Sequence, residues 1–512
     1  MGLFTAVSRV LGFVRDTLIA FAYGTSPTAQ AFVVAFRIPN LLRDMVGEGA
    51  ANSAFVPVLT RTRELQGKAS WSALTQAVWS RMVIGFLLLS AVGILAAPWL
   101  VTLVAPGFRG DPLLMEITVR LTRILFPFIG LVGLAALFMG VLNSAHHFTL
   151  PSLGPIILSI CMIAGMFAYK PGALGLAWGV IVGGILQLLL QLPLLRRLGV
   201  SLRLTLKWHP GVGEIRRLLI PRMIGTGVYQ FGVMVDTVFA SFQTLVGPGG
   251  LAVLYFAQRF LHLPMALFGI SMAQAALPTM SRKAASGDLA TVRKICVMAL
   301  RSSLLIAIPA SVGLIFLGMP IVQTLLERGA FSAAATQKTV VTLQCYALGL
   351  ASMCAAKVLA NTLYAFHDTW TPVRSAAFAL AANVALNILL VEPLKLPGLA
   401  LATSLASFVN SVQLYYAVRA RVGRSEEQRM RWWLLRVLMA SLGMGLAALT
   451  AWNMGLQMPV FSHGAAQIFW LILVIVFAVV LFFVFGLLLG VEEAWQVGKW
   501  LAGKVARIFA KS

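Results

Sequence analysis

Acidic side chains are scarce in this sequence. It holds 16 Asp and Glu against 40 Lys and Arg, and all charged residues together make up only 11% of the chain. Soluble proteins carry about 25% charged residues. Hydrophobic residues reach 59%, the mean hydropathy is +0.89, and apolar runs of about 18 residues or more recur along the chain. These features predict an all-α polytopic membrane protein rather than a soluble one.

Residues with metal or redox chemistry are also few. The four cysteines lie inside apolar runs without a CxxC pair, and the six histidines show no HExxH spacing. We therefore expect the cysteines to be buried small hydrophobic residues. No GxxxxGK[ST] run occurs, so the sequence contains no P-loop for ATP. Any transport must then use an ion gradient, the membrane potential or removal of the substrate on the far side.

The apolar runs predict about fourteen transmembrane helices. Their Lys and Arg residues concentrate in alternate loops, which is the positive-inside pattern, so both termini are predicted to be cytoplasmic. The same distribution explains most of the net charge of +24 and argues against a nucleic-acid partner. The predicted spans cover 2–24, 30–58, 75–105, 114–143, 150–169, 173–195, 214–245, 250–281, 295–325, 335–365, 372–391, 397–418, 432–454 and 464–490.

The chain repeats itself at a nearly constant distance. Pro57 before a basic segment recurs as Pro278, 221 positions later, and Gly175 recurs as Gly398, 223 positions later. Steady offsets across several spans predict two six-helix bundles related as parallel repeats, a known transporter design. The predicted domains are a first bundle at 1–197, a cytoplasmic linker at 198–213, a second bundle at 214–421, two extra transmembrane helices at 422–490 and an amphipathic cytoplasmic tail at 491–512.

Several charged residues fall within the predicted spans, where each costs roughly 2.5 to 3.5 kcal/mol if it faces lipid. Such residues must line a water-filled cavity or pair with other helices. The arginines outnumber the acids, and a surplus of guanidinium groups favours an anion such as phosphate or pyrophosphate. The alternative is that the arginines are structural and pair with acids. The arginines are Arg9, Arg15, Arg37, Arg43 and Arg259, and the acids are Asp16, Asp44, Glu48 and Asp236.

Two stretches carry a family resemblance: SRVLGFVRD at Ser8–Asp16 and AFRIPNLLRDMVGEGAANSAFVPVL at Ala35–Leu59, supported by APGF and LPTMSR further on. They resemble the MurJ (MviN-type) family, lipid II flippases of the multidrug, oligosaccharidyl-lipid and polysaccharide exporter superfamily. The resemblance implies a flippase, not an enzyme, that moves the undecaprenyl-pyrophosphate-linked peptidoglycan precursor across the bacterial cytoplasmic membrane. Alternating access of two bundles is the expected mechanism, and the protein is expected to be a monomer whose partners are lipid II and membrane lipids.

The resemblance also implies roles for individual residues. The last two spans are expected to form a groove for the polyprenyl tail. Gln30 and His262 depart from the family pattern, since other members carry acids there. The expected substrate-binding residues are Arg9, Arg15, Asp16, Asn40, Arg43, Glu48 and Arg259.

Some family members bind sodium, and Asp236, Asn383, Asn387 and Thr403 match those positions. Oxygen ligands suit such a hard cation. The alternative is that these residues only form hydrogen bonds between helices. No other cofactor is expected.

Three other functions remain open from the residues alone. The first is export of another lipid-linked oligosaccharide or of drugs, although a cationic drug would call for an acidic cavity. The second is an intramembrane enzyme acting on a polyprenyl phosphate, for which no clustered acid, base or metal site is evident. The third is a scaffold that transports nothing.

Overall fold

The computed structural model describes residues 2–46, 50–147, 149–169, 172–265, 270–424, 427–461 and 464–495. Those residues form helices joined by short turns and contain no strand, so the predicted all-α class is confirmed. The chain divides into two compact units, Met1–Ala252 and Val253–Ser512. The helix Pro210–Ser241, which corresponds to the seventh predicted span, therefore belongs to the first unit by its contacts. The sequence repeat assigns the same span to the second bundle. The repeat-based domain boundaries stay a prediction.

The first unit contains eleven helices and the start of a twelfth at its boundary. They are α1 Gly2–Tyr23, α2 Pro27–Val46, α3 Ala50–Leu95, α4 Ala97–Val104, α5 Pro112–Leu125, α6 Phe128–Ser144, α7 Thr149–Ser152, α8 Gly154–Ala168, α9 Leu174–Arg197, α10 Pro210–Ser241, α11 Gln243–Val246 and α12 Gly250–Pro264. A 3-10 turn spans Pro106–Gly110.

The second unit contains the remaining eight helices. They are α13 Ile270–Ala285, α14 Leu289–Phe316, α15 Gly318–Leu326, α16 Ala333–Ala365, α17 Trp370–Leu394, α18 Leu396–Val422, α19 Glu427–Leu456 and α20 Gly464–Leu488. A 3-10 turn at Pro459–Phe461 lies between the last two.

The basic segment around Arg61 and Arg63 is helical rather than a loop, which corrects the predicted topology in detail. It lies in α3, which is interrupted only at Gly67, where φ is 81°. A glycine adopts this left-handed conformation at little cost, so the chain changes direction there without a loop. The predicted second span ends as α2 at Val46, and α3 begins at Ala50.

Nine helical stretches among the described residues are long and apolar enough to cross a membrane. The long helices α1, α2, α10 and α18 are not among them, nor are α12 and α13, which are 15 and 16 residues long. Most of these helices carry the polar residues that the sequence places in a cavity. Parts of α1, α2 and α10 also lie outside the residues whose side chains the structure describes.

The predicted repeat has counterparts in local structure. A Cβ at Gly175 would lie 2.2 Å from the carbonyl oxygen of Gly165, and a Cβ at Gly398 would lie 2.2 Å from that of Leu390. Each glycine thus lets a helix start directly against the backbone of the helix before it, in α8–α9 and in α17–α18. The turns before these helix pairs also match, because His146 and His367 have φ of 63° and 58°.

Helix α19 packs on α14, α20 packs on α19 and α15, and a short turn after α20 completes the attachment. In this C-terminal turn, residues 490–495, Glu492 accepts hydrogen bonds from Arg301 of α14 at 3.0 Å and Arg429 of α19 at 2.9 Å. Glu493 accepts one from Trp433 Nε1 at 2.7 Å.

Val491 and Ala494 of this turn are fully buried in the apolar core of the second unit. The predicted amphipathic tail at 491–512 thus begins with residues that belong to the core. Residues 496–512 lie outside the described part of the chain.

Candidate functional site

Arg15 and Asp16 on α1 form an ion pair in the first unit. The Nε and Nη2 atoms of Arg15 donate to Oδ1 of Asp16 at 3.0 and 2.8 Å, and both side chains are mostly buried. Arg15 Nη1 also contacts Sδ of Met162 on α8 at 3.7 Å. Asp16 thus balances the positive charge of Arg15, as expected if this arginine has a structural role.

Arg9 has different surroundings on the same helix. Its Nη1 atom is buried without a hydrogen-bond partner among the described residues, and so is Oδ1 of Asn40 on α2. A buried polar atom left without a partner costs about 1 to 3 kcal/mol, and more when the group is charged. Both residues were predicted to bind substrate. A guanidinium N–H without a protein acceptor is the feature that an anionic headgroup would satisfy.

On α2, Arg37 donates a hydrogen bond to Oγ1 of Thr237 on α10. This side chain joins two helices of the first unit, a role that the sequence did not reveal because the contact crosses 200 positions. The predicted departure Gln30 is buried, and its Oε1 lacks a hydrogen-bond partner among the described residues. The side chains of Arg43 and Asp44, and Glu48 entirely, lie outside the described residues. Their roles stay predictions.

In the second unit, Arg259 of α12 lies over the ring of Tyr255, with its Cζ 4.6 Å from the ring centroid. Its Nη2 also donates to the Tyr255 hydroxyl at 2.8 Å. The two residues are one turn apart, so the pair is local to α12. Sequence reasoning missed Tyr255, although an aromatic residue four positions before an arginine on a helix is a signal for such stacking. The departure at His262 is half-buried one turn further on.

The neighbouring Gln258 donates from Nε2 to the hydroxyl of Tyr346 on α16 at 3.0 Å. This bond fixes the rotation of α12 against α16. Stacking on Tyr255 therefore holds the side chain of Arg259, and the bond between Gln258 and Tyr346 holds α12 against α16. A planar guanidinium held in this way presents its N–H groups in a defined direction.

The residues predicted to bind sodium fall into two places. In the second unit, Asn387 Nδ2 donates to Asn383 Oδ1 at 3.2 Å, and Asn383 Nδ2 donates to Thr403 Oγ1 at 3.2 Å. Asn383 and Asn387 are buried on α17, so hydrogen bonding between α17 and α18 is present, as the alternative expects. Asp236 is buried on α10, in the first unit. The four-residue site stays a prediction.

The donor set nevertheless suits a hard cation. Asn383 Oδ1 accepts one hydrogen bond from Asn387, and Thr403 Oγ1 accepts one from Asn383. A carbonyl or hydroxyl oxygen has two lone pairs. Among the described residues, no group of three or more His, Cys, Asp or Glu could hold a metal ion. The predicted sodium ligands would therefore be the neutral oxygens of Asn383, Asn387 and Thr403 and the carboxylate of Asp236.

Comparison with known proteins places the chain in a family. A family model described as "Lipid II flippase MurJ" matches residues 19–464, most of the sequence. The chain belongs to this family. The lipid II flippase MurJ of Burkholderia cenocepacia is 35% identical over 428 residues, covering 82% of each chain. The probable lipid II flippase MurJ of Haemophilus influenzae is 32% identical over 514 residues, covering 96% of this chain and 98% of the other.

Solved structures agree with the family assignment. A structure described as lipid II flippase MurJ in an inward closed conformation matches with a TM-score of 0.78 and 26% identity, over 95% of this chain and 97% of the other. An inward-facing MATE family transporter of the MOP superfamily matches with a TM-score of 0.70 and 13% identity, over 81% and 94%. The second likeness shows the fold alone.

Proposed function

We propose that this chain is a flippase that moves lipid II, the undecaprenyl-pyrophosphate-linked peptidoglycan precursor, across the bacterial cytoplasmic membrane. The observation that carries the proposal is the family match over residues 19–464, together with relatives that align over most of both chains. The activity is transport without covalent chemistry, so the chain is not an enzyme. The lipid II that it moves is used in peptidoglycan synthesis.

The pyrophosphate is the part of this substrate that arginines would bind. Arg9, Arg15, Arg43 and Arg259 are the proposed ligands, with Asp16, Asn40 and Glu48 beside them. Support comes from the buried N–H of Arg9 that lacks an acceptor among the described residues and from the stacked guanidinium of Arg259. The pair of Arg15 with Asp16 makes Arg15 a weaker ligand, because the carboxylate competes with the substrate for the same N–H groups.

Alternating access would carry the headgroup, with two bundles rocking about a site near the middle of the membrane. This mechanism requires that the polar helices α1, α2, α10, α12–α13 and α18 cross the membrane along with the nine apolar stretches, which makes fourteen crossings. Their charged residues then face a polar interior rather than lipid. The polyprenyl tail would stay in lipid along α19 and α20. The exposed apolar side chains of α20, such as Phe469, Ile472 and Val476, support that path.

Sodium is the proposed coupling ion. The ion would be held by Asp236, Asn383, Asn387 and Thr403. The sodium gradient across the membrane would then be coupled to transport. Binding of radioactive sodium to the purified protein, compared between the natural chain and Asp236→Asn, tests this step without measuring transport. Equal binding by both proteins would refute the assignment of Asp236.

The proposed activity is tested by depleting the protein in cells and measuring how much lipid II is exposed at the outer face of the membrane. We expect exposure to fall while total lipid II rises, and purified protein in vesicles to restore it. Unchanged exposure after depletion would contradict the proposal. A chemically altered lipid would favour an enzyme instead, and preferred binding of cationic compounds would favour a drug exporter.

A further inference from the structure

The segment between α9 and α10, residues 198–209 and here called the connector, is held along α3 by side chains of that helix. Gln76, Trp79 and Arg81 donate hydrogen bonds to carbonyl oxygens of the connector at 2.9 to 3.3 Å. Such bonds hold an extended backbone in one orientation, because carbonyl groups without a regular secondary structure need other donors. The connector is therefore ordered, although residues 201–209 have no helix or strand.

Three apolar side chains in its second half point away from the protein. Leu204, Leu206 and Trp208 are 64%, 85% and 62% exposed, with the polar residues Thr205 and Lys207 between them. Leu202, just before them, packs against the apolar core. Arg81 lies over the Trp208 ring, with Cζ 5.0 Å from the centroid. Holding three large apolar side chains in water costs about 1.5 to 3 kcal/mol each, so a protein that fixes them outward gives them an apolar environment.

The charge around these side chains is positive only. Arg196, Arg197, Arg203 and Lys207 are all exposed, and no acidic residue occurs between Arg196 and Gly213. The connector follows the end of the apolar helix α9, and the side chains that hold it precede the apolar part of α3 from Met82 onward. It therefore lies beside the end of α9 and the start of the apolar part of α3. Trp residues and basic residues are both concentrated at this level of a membrane protein.

We propose that the connector is an interfacial anchor that binds the anionic phospholipids of the leaflet it meets. The side chains of Leu204, Leu206 and Trp208 insert at the boundary between headgroups and acyl chains. Arg203 and Lys207, with the arginines at the end of α9, contact the lipid phosphates. Attraction of basic segments to anionic lipid adds to the burial of apolar area in such anchors. A bilayer is favoured over a protein partner because the surface continues directly from the end of α9 and from the start of the apolar part of α3.

This role is independent of what the protein transports. It gives the middle of α3 and the start of α10 a fixed depth in the membrane, since both are tied to the connector. His209, the last residue of the connector, bonds through Nε2 to Ser70 Oγ at 3.1 Å, and its Nδ1 accepts from Gly211 N at 3.1 Å. The anchor thus passes without a flexible joint into the first turn of α10.

Membrane depth is the first test. A nitroxide label is placed at Leu206→Cys in a full-length variant whose four native cysteines are replaced by alanine, in nanodiscs that contain phosphatidylglycerol. Accessibility to oxygen and to a water-soluble nickel complex then reports depth. The matched control is Leu65→Cys, another leucine of high exposure, 77%, which lies among charged residues of α3. We expect the label at 206 to have a severalfold higher ratio of oxygen to nickel accessibility than the label at 65.

Two results would overturn the proposal. Equal ratios at the two positions would show that the connector lies in water. Protection of the label at 206 from both reagents would show that it packs against the protein itself, with no lipid contact. The same labels in detergent, where no bilayer is present, show whether the cysteine substitution has released the connector from α3, because a released segment gives a sharp and mobile spectrum.

The choice of lipid is the second test. Binding of phosphatidylglycerol in competition with phosphatidylcholine is measured by native mass spectrometry for the natural chain, for Arg203→Gln with Lys207→Gln, and for Arg328→Gln as a control in an exposed turn of the second unit. Each basic residue near an anionic surface contributes up to about fivefold in affinity. We expect the double variant to lose most of the preference for phosphatidylglycerol and the control to keep it. An unchanged preference in the double variant would overturn the anionic part of the proposal.

Discussion

Two arginines of α1, six positions apart, have opposite surroundings. Arg15 is paired with Asp16 at 2.8 Å, whereas Arg9 has a buried Nη1 with no acceptor among the described residues. Composition and spacing treat the two alike, since both are arginines within an apolar helix. At the residue scale, these surroundings make Arg9 the better candidate for binding an anion and Arg15 the better candidate for holding α1 in place.

Arg9→Ala should lower lipid II transport by at least about tenfold, because the substrate loses a charge-assisted hydrogen bond worth about 1.5 to 3 kcal/mol. Arg9→Lys should retain part of the activity, since it keeps the charge but loses the planar fork. Transport is measured in vesicles with each purified variant. The exposed Arg109→Ala is the control and should transport normally. Full activity of Arg9→Ala would remove Arg9 from the site.

Asp16→Asn should lower the thermal midpoint markedly, since removing one partner of a buried ion pair costs about 3 to 5 kcal/mol. Arg15→Gln combined with Asp16→Asn should recover much of that loss, because no unpaired charge remains. Thermal unfolding in detergent provides the measurement. If the double variant were as unstable as the single one, the pair would not be the source of the stability. If the stable double variant also transported normally, Arg15 would be structural.

At the scale of single elements, close backbone contacts and the C-terminal turn determine how the helices are held. The sequence repeat indicates that Gly175 and Gly398 are equivalent, but only the structure shows why each must be glycine. Their hydrogens face carbonyl oxygens of a preceding helix. Likewise, two adjacent acids after α20 are unremarkable as sequence, but in the fold they bind arginines of α14 and α19.

Gly398→Ala should destabilise the protein by about 1 to 3 kcal/mol, because the added methyl group meets the backbone of Leu390. Gly85→Ala on α3 is the matched control, since nothing lies within 4 Å of its added methyl group. It should be neutral or stabilising by up to about 1 kcal/mol, because alanine favours the helix. Thermal unfolding compares the two. Equal stability of the two variants would contradict the close approach of α17 and α18.

Stability in acid should depend on Glu492. Hydrogen bonds from Arg429 and Arg301 hold its pKa below the ordinary value of 4.5. A carboxyl whose folded-state pKa is lowered stabilises the fold above its ordinary pKa, and this stabilisation is lost as the pH falls through the lowered value. Glu492 is half exposed, so the effect should be about 0.5 to 1 kcal/mol.

The thermal midpoint measured between pH 7 and pH 3 gives the test. The natural chain should exceed Glu492→Gln at neutral pH, and the difference should vanish in acid. The exposed Glu116→Gln, which removes an acid of α5 that has no ion pair among the described residues, should show no such trend. A difference between the natural chain and Glu492→Gln that persisted unchanged in acid would contradict the ion pairs.

At the scale of the whole molecule, the number of crossings decides where the termini lie. Nine apolar stretches among the described residues are an odd number and would place the two ends on opposite sides of the membrane. Fourteen crossings are even and place both ends in the cytoplasm, as the distribution of Lys and Arg predicts. The two counts of crossings differ by the polar helices, such as α1 and α10. They cross only if the fold supplies a polar interior for their charges.

Reporter fusions distinguish the two counts. A fluorescent protein that folds only in the cytoplasm, fused after Ser512, should fluoresce, and a tag at the N-terminus should resist protease added outside the inner membrane. Alkaline phosphatase fused after Gly110, between the third and fourth predicted spans, should be active because that turn faces the outside. Termini on opposite sides would contradict the fourteen crossings.

Much of the fold could be predicted from the sequence. Apolar periodicity is a local property, so it located the helices, and the repeated Pro and Gly positions located equivalent turns. The contacts of the site could not be predicted in the same way. The bonds of Arg37 to Thr237 and of Gln258 to Tyr346 join residues far apart in the chain. No local pattern marks them, because they depend on how helices pack and on which rotamer each side chain adopts.

The sequence by itself determined the class of the protein, its membrane environment, its family and the set of charged residues that must avoid lipid. The family follows from the resemblance of two motifs, whereas hydrophobicity and composition suffice for the rest, because transfer of each residue into the bilayer depends mainly on its own chemistry. Only the tertiary structure decided that Arg15 pairs with Asp16 while Nη1 of Arg9 has no acceptor among the described residues, and that the connector holds three apolar side chains outward. Those properties depend on the distances between side chains of different helices, and packing alone sets such distances.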